Sequence, residues 1–343
     1  MSFLSDVRAR ATALRKRIVF PETRDPRTLE AVRALKAQAV VAPLLVLDPG
    51  APESHDATRA IGVDVVNPAT DPRADQVAHL LFTSRHDKGM TEVEAARLAR
   101  TPLYFADGLV RLGAVDGCVA GACHTTAEVL RASLALIGPA AGVHIVSSAF
   151  YMVVPPFRGT ENDEVLTFTD CAVIPYPSVE QLADIAVAAA RDRKRIVGDE
   201  PVVAFLSFST NGSSGGPSVN LVRNALQLAR TKAPDIAFDG EMQGDAALIA
   251  SVAARKFPGS AVGGRANVLV FPSLDAGNIA YKLVQRLAEA TAVGPIVQGL
   301  KRPCSDLSRG ATSDDIFHVA AVTALQAHDG AAQAAPAPEE RKA

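Results

Sequence analysis

The 343-residue chain has only four cysteines, Cys118, Cys123, Cys171 and Cys304, and no C-x-x-C pair. Scattered thiols behind an N-terminus with no signal-peptide pattern read as reduced cysteines of a cytoplasmic protein, and they exclude a disulfide framework. Cys123 and His124 are adjacent but have no partner pair at ligand spacing, so no metal site is expected. Cys118 lies in an apolar run and reads as core. Cys123 and Cys304 stand near polar turns, where either could line a site. No uninterrupted apolar run reaches the ~18 residues of a membrane-spanning helix. Residues 1–17 combine Arg and Lys with Asp6, Phe3, Leu4, Val7 and Leu14, the pattern of a short amphipathic helix. An excess of one charge is also missing: a net charge of −2 gives no reason to expect nucleic acid or an anionic membrane as partner. Neither G-x-x-x-x-G-K-S/T nor G-x-G-x-x-G occurs, which removes a P-loop and a dinucleotide fingerprint. No repeat of about 20–50 residues is present, so a solenoid is excluded.

What is present is a large apolar fraction, 48% of residues, in a chain long enough for two domains. Strand patterns at 17–20, 43–47, 115–120, 143–146, 201–208, 236–238, 267–271 and 293–297 alternate with helical patterns at 26–36, 125–137, 178–192, 218–230, 245–256 and 276–292. Segment 165–174 reads as a further strand, of antiparallel type. Such alternation favours a parallel sheet covered on both faces. Thr91/Glu94 and Ser178/Gln181 have the spacing of capping boxes. The prolines, glycine and charges of 155–163 mark a surface loop, and the Ala-, Pro- and charge-rich end reads as a disordered tail.

The stretch with most chemistry is Asp306-Leu307-Ser308-Arg309-Gly310, followed by Asp315. A hydroxyl and a guanidinium at a strand-to-helix turn suit a small anionic substrate. A polar turn capping a helix is the competing reading, and Thr312 to Asp315 fits that form. A second candidate is the 209–216 loop, between a strand and a helix. There Ser209, Thr210, Gly212 and Ser213 offer hydroxyls and free amides to a phosphate, or else form a flexible glycine turn. Ser147 and Ser148 read as a hydroxyl pair at the end of strand 143–146. Arg85 and Arg131 are candidates for bidentate phosphate binding or plain solvated side chains. Asp239, Glu241 and Asp245 form an acidic cluster that reads as turn and capping residues, with metal binding the alternative.

Seven blocks, in order, resemble the phosphate acetyl/butyryl transferase family: 147–152, 181–186, 206–213, 239–243, 266–272, 276–282 and 306–310. The likeness runs from about Arg17 to Gln326. It implies an α/β chain of two α/β/α sandwich domains with a cleft between them, in an architecture like that of isocitrate and isopropylmalate dehydrogenases. The expected division is 1–142 plus 295–328 for domain I and 143–294 for domain II, with 329–343 as the tail. It implies exchange of an acetyl group between acetyl phosphate and coenzyme A, with coenzyme A as substrate, no bound cofactor, and a homodimer. It also implies catalytic roles for Ser308, Arg309 and Asp315, and substrate or coenzyme A contacts for Arg85 and Arg131. Propionyl or butyryl transfer, and a non-catalytic acetyl-CoA-sensing module, are the alternatives.

Overall fold

The computed structural model describes residues 2–330, so the expected tail lies outside the described residues from 331 onward. Two sheets organise the chain. The first holds β1 (Arg17–Phe20), β2 (Ala42–Val46), β3 (Asp64–Val66), β4 (Gly117–Ala120) and β11 (Cys304–Asp306), in the order β11-β4-β1-β2-β3 and all parallel. The second holds β5 (Ser147–Val154), β6 (Glu164–Thr169), β7 (Val202–Leu206), β8 (Ala237–Met242), β9 (Val268–Val270) and β10 (Thr291–Gln298), in the order β10-β5-β6-β9-β7-β8. There β5 is antiparallel to both β10 and β6, and the other pairs are parallel.

Strand alternation explains why each sheet is sandwiched. Ile18 and Phe20 point into a core with the helices Phe3–Leu14, Pro26–Ala37 and Ser313–Gly330. Val19, between them, joins the opposite core with Arg73–Arg85, Pro102–Arg111 and Thr126–Leu136. In the second sheet Ala204 and Leu206 face one core, while Val203 and Phe205 face the helices Val179–Ile196 and Pro217–Lys232. Both sheets are therefore α/β/α sandwiches. No helix among the described residues is long and apolar enough to cross a membrane.

Three expectations are corrected. The strand entering the 306–310 motif is β11, not 293–297, which lies in β10 of the other sheet. The polarity of β11 hid it: Ser305 is buried and bonded to Thr323 at 2.8 Å, and buried Asp306 accepts from Thr126. Second, Ser147 and Ser148 open β5 instead of closing a strand at 143–146. Both hydroxyls are bonded inside the protein, Ser147 to Gln298 and Ser148 to Asp170. Third, 245–256 is two helices, Gly244–Leu248 and Ala250–Lys256, broken where Ile249 takes extended backbone angles. Of the two capping boxes, Ser178/Gln181 is complete. At Thr91 only the hydroxyl accepting from the Glu94 amide is formed.

Candidate active site

The order of the first sheet reverses beside β1: β2 and β3 lie on one side, β4 and β11 on the other. Ligands of open parallel sheets bind beyond the strand C-termini at such a reversal. The segments that leave β1, β4 and β11 there are 21–27, 121–126 and 307–312.

Arg27 ties all three together. Its Nη1 donates to the carbonyls of Arg309 (2.9 Å) and Ala311 (2.7 Å), and its Nη2 donates to that of Ala122 (3.0 Å). Asp25 holds the same guanidinium through its carboxylate, 2.6 Å from Nη2. Buried Glu22 accepts from the amides of Ala122, Cys123 and His124 and from the His124 ring. Burial alone would raise the Glu22 carboxyl, but His124 and the three amides outweigh it and hold it below its ordinary range. At Gly121 the backbone has φ +109°, and a Cβ would stand 2.4 Å from the Leu307 nitrogen and 2.5 Å from Asp306 Oδ1. Only glycine fits this close approach of β4 to the motif. Burial pushes the Asp306 carboxyl up to about 7, against the hydrogen bond from Thr126.

On this frame sits the motif. Ser308 and Arg309 are exposed. Ser308 Oγ accepts from the Gly310 amide at 3.2 Å, which leaves its hydroxyl proton free to donate. The Arg309 guanidinium has no hydrogen bond or ion pair among the described residues. Asp315 takes the capping position: its Oδ2 accepts from the Thr312 amide (2.8 Å) and hydroxyl (2.9 Å), and Thr312 Oγ1 accepts from the Asp315 amide. Its Oδ1 has no protein partner among the described residues. The capping reading therefore has its bonds through Oδ2 in the structure, and Oδ1 is left open. Cys123 lies close by, but burial and then Glu22 and Asp25 push its thiol up to about 11, which suits no nucleophile. Cys304 is buried and donates to Asp107 at 3.3 Å.

The other candidates fall elsewhere. Arg85 and Arg131 flank Tyr104: burial raises its phenol, and both guanidinium charges oppose that. Neither arginine has an ion-pair partner among the described residues. The 209–216 loop follows β7 and encloses an anion of the protein's own. Ser209 Oγ and the Gly212 amide donate to Glu241 Oε1 at 2.7 and 3.0 Å, and Arg223 binds the same carboxylate through two nitrogens. Burial would raise Glu241, yet these partners take it down to about 2. Ser209 and Thr210 are buried, and Ser213 accepts from the Thr210 amide. The remaining acids of that cluster are also matched, Asp239 by Arg230 and Asp245 by Lys256.

With this geometry in hand, comparison with known proteins is decisive. The family model described as "Phosphate acetyl/butaryl transferase" matches residues 2–324. The chain belongs to this family. A phosphate acetyltransferase of Thermoanaerobacterium thermosaccharolyticum is 44% identical over 330 residues, covering 95% of this chain and 100% of the relative. A phosphotransacetylase from Streptococcus pyogenes superposes with a TM-score of 0.87 at 37% identity, over 95% of this chain and 99% of its own. A Salmonella typhimurium chain described as a 4-hydroxythreonine-4-phosphate dehydrogenase shares the fold at TM-score 0.51 and 16% identity, covering 91% of this chain and 99% of its own. A dehydrogenase-like architecture thus accompanies membership of an acyltransferase family.

Arg27, Glu22 and Thr126 were not singled out from sequence. Arg27 carried one signal, a charged residue just past the end of a strand, but its partners are carbonyls distant in the chain. Arg27→Ala is expected to lower turnover about 10- to 100-fold and to cost about 1.5–3 kcal/mol of stability, the range for hydrogen bonds to charged groups. Arg27→Lys should rescue little, because an ammonium cannot span three carbonyls as a planar fork does. Steady-state rates and thermal melts check both.

Proposed function

We propose that the chain catalyses reversible transfer of an acetyl group between acetyl phosphate and coenzyme A, by direct attack of the coenzyme A sulfur on the acyl carbonyl above the 307–311 loop. The C–S bond forms, the bond from carbon to the phosphate oxygen breaks, and phosphate leaves. Coenzyme A is a substrate here and not a resident group. The supporting observation is the exposed Arg309 guanidinium, unpaired among the described residues and next in the chain to Ser308, on a loop whose main chain Arg27 holds at a strand C-terminus.

Each group has a defined task. Arg309 binds the phosphate and the charge that develops on the carbonyl oxygen. Ser308 donates its free proton to the same oxygen. Asp315 Oδ1 receives the thiol proton as attack proceeds, since the thiolate is the competent nucleophile. Phosphate is already a good leaving group, so the reaction asks for no strong general acid. Burial lowers the pKa of His318, one turn beyond Asp315. Arg85 and Arg131, both without an ion-pair partner among the described residues, are assigned to the phosphates of coenzyme A. Ser147, Ser209, Thr210, Gly212 and Ser213 support the fold around that cleft, because their polar groups meet internal partners.

The test is thioester formation from coenzyme A with acetyl, propionyl and butyryl phosphate. Acetyl phosphate should give the highest kcat/KM. A preference for butyryl phosphate would reassign the acyl chain, and no thioester from any of the three would refute the reading.

We further infer a cytoplasmic homodimer of two-domain protomers, 1–142 plus 295–328 and 143–294. The four cysteines are free. One sheet belongs to each proposed domain, with β10 crossing the border at 294. The helix Leu274–Leu287 exposes Ile279, Leu283 and Leu287 at four-residue spacing, a stripe suited to a second copy. Leu283→Glu should yield monomers in sedimentation equilibrium; an unchanged mass would place the interface elsewhere.

A further inference from the structure

The two chain segments that run between the sheets, 137–146 and 299–303, lie side by side and are joined by a bridge between Pro139 and Leu300. A cavity of about 320 Å³ opens between them and one face of the helix Val179–Ile196, and a smaller one of about 60 Å³ continues past Lys301 and Arg302. Five cationic side chains line the pair: Arg191, Arg195, Lys232, Lys301 and Arg302. Among the described residues, two carboxylates face them. Asp184 is held by Lys232, and Asp192 by Arg195 at 2.8 Å and by the Gln326 amide at 3.0 Å. Arg191, Lys301 and Arg302 are left without an ion-pair partner among the described residues. Three unmatched cations gathered in a groove stand out in a chain whose net charge is −2. Like charges converging on a concavity repel one another unless an anion sits between them.

The place also separates this groove from the acyl-transfer site. Lys301 and Arg302 precede β11, whereas Ser308 and Arg309 follow it, so the two lie at opposite ends of one strand. At about 3.3 Å per residue, the three residues of that strand alone separate the two ends by about 10 Å.

We propose that this groove is a second anion site, which takes a small molecule carrying two or more phosphate or carboxylate groups. Arg191 comes from the helix and Lys301 and Arg302 from one of the connecting segments. A bound polyanion would therefore link the helix of the second sheet to the connection between the sheets.

Pyrophosphate is the probe. Its affinity for the full chain is measured by calorimetry at two salt concentrations, with coenzyme A saturating so that the acyl-transfer site is filled. The variants are Arg191→Ala, Lys301→Ala and the pair together, all at exposed positions. Arg191→Lys is the control that keeps the charge. Pyrophosphate should bind the wild type, more weakly at higher salt. Each alanine variant should lose about tenfold in affinity, the scale of one charge-assisted contact, and Arg191→Lys should lose less. The kcat and the KM for coenzyme A should be unchanged in all of them. No binding to the wild type, or equal binding to the double variant, would overturn the proposal. A raised KM for coenzyme A in the alanine variants would also overturn it, by making the groove part of the coenzyme A site.

Discussion

Arg309→Ala is expected to lower thioester formation from acetyl phosphate about 1,000-fold and to leave the melting temperature unchanged. The two halves of this expectation rest on separate features. The guanidinium makes no hydrogen bond or ion pair with the described residues, so its removal deletes no internal polar bond. A surface change of that kind stays within about 0.5 kcal/mol. In the proposed transition state the same group faces both the departing phosphate and the carbonyl oxygen. Losing one preorganised donor to developing charge costs about 3–4 kcal/mol, and the loss of a full charge belongs at the upper end. A rate near that of the wild type would remove Arg309 from the mechanism. A large fall in melting temperature would mean that its role is structural.

Asp315→Asn should show the opposite balance at each oxygen. The amide oxygen still accepts from the Thr312 backbone, so the cap survives in part. The negative charge at the helix start is lost, which costs about 0.3–1 kcal/mol. The proton acceptor is lost as well, and turnover should fall about 100- to 1,000-fold, within the span of general-base contributions. Thr312→Ala separates the two roles. It removes the hydroxyl that bonds Oδ2 and leaves Oδ1 untouched. That variant should lose stability of about 1 kcal/mol and keep most of its activity. If Thr312→Ala and Asp315→Asn lose activity equally, Asp315 acts only as a cap. Thermal melts beside rates, on all three proteins, decide this.

How much of this was legible in the sequence depends on how local the cause was. The strand Arg17–Phe20 and the helix Pro26–Ala37 were readable because apolar periodicity and the prolines Pro21 and Pro26 act within a few positions. The 306–310 motif was visible for the same reason. β11 was not, since its polar side chains are matched by Thr323 and Thr126, far away in sequence. The 209–216 loop misled in an instructive way. Its composition suggested a phosphate site, but the anion it holds in the structure is Glu241, brought by the neighbouring strand β8. Arg27 escaped notice because its partners are main-chain carbonyls, which carry no residue signature.

The most direct test of direct transfer at the 307–311 loop is exchange of radiolabelled phosphate into acetyl phosphate, with and without coenzyme A. Direct attack by the coenzyme A sulfur leaves no acyl group on the protein, so exchange should occur only when coenzyme A is present. Exchange without coenzyme A would reveal an acyl-enzyme and contradict the mechanism, and absence of exchange with it would contradict the activity itself.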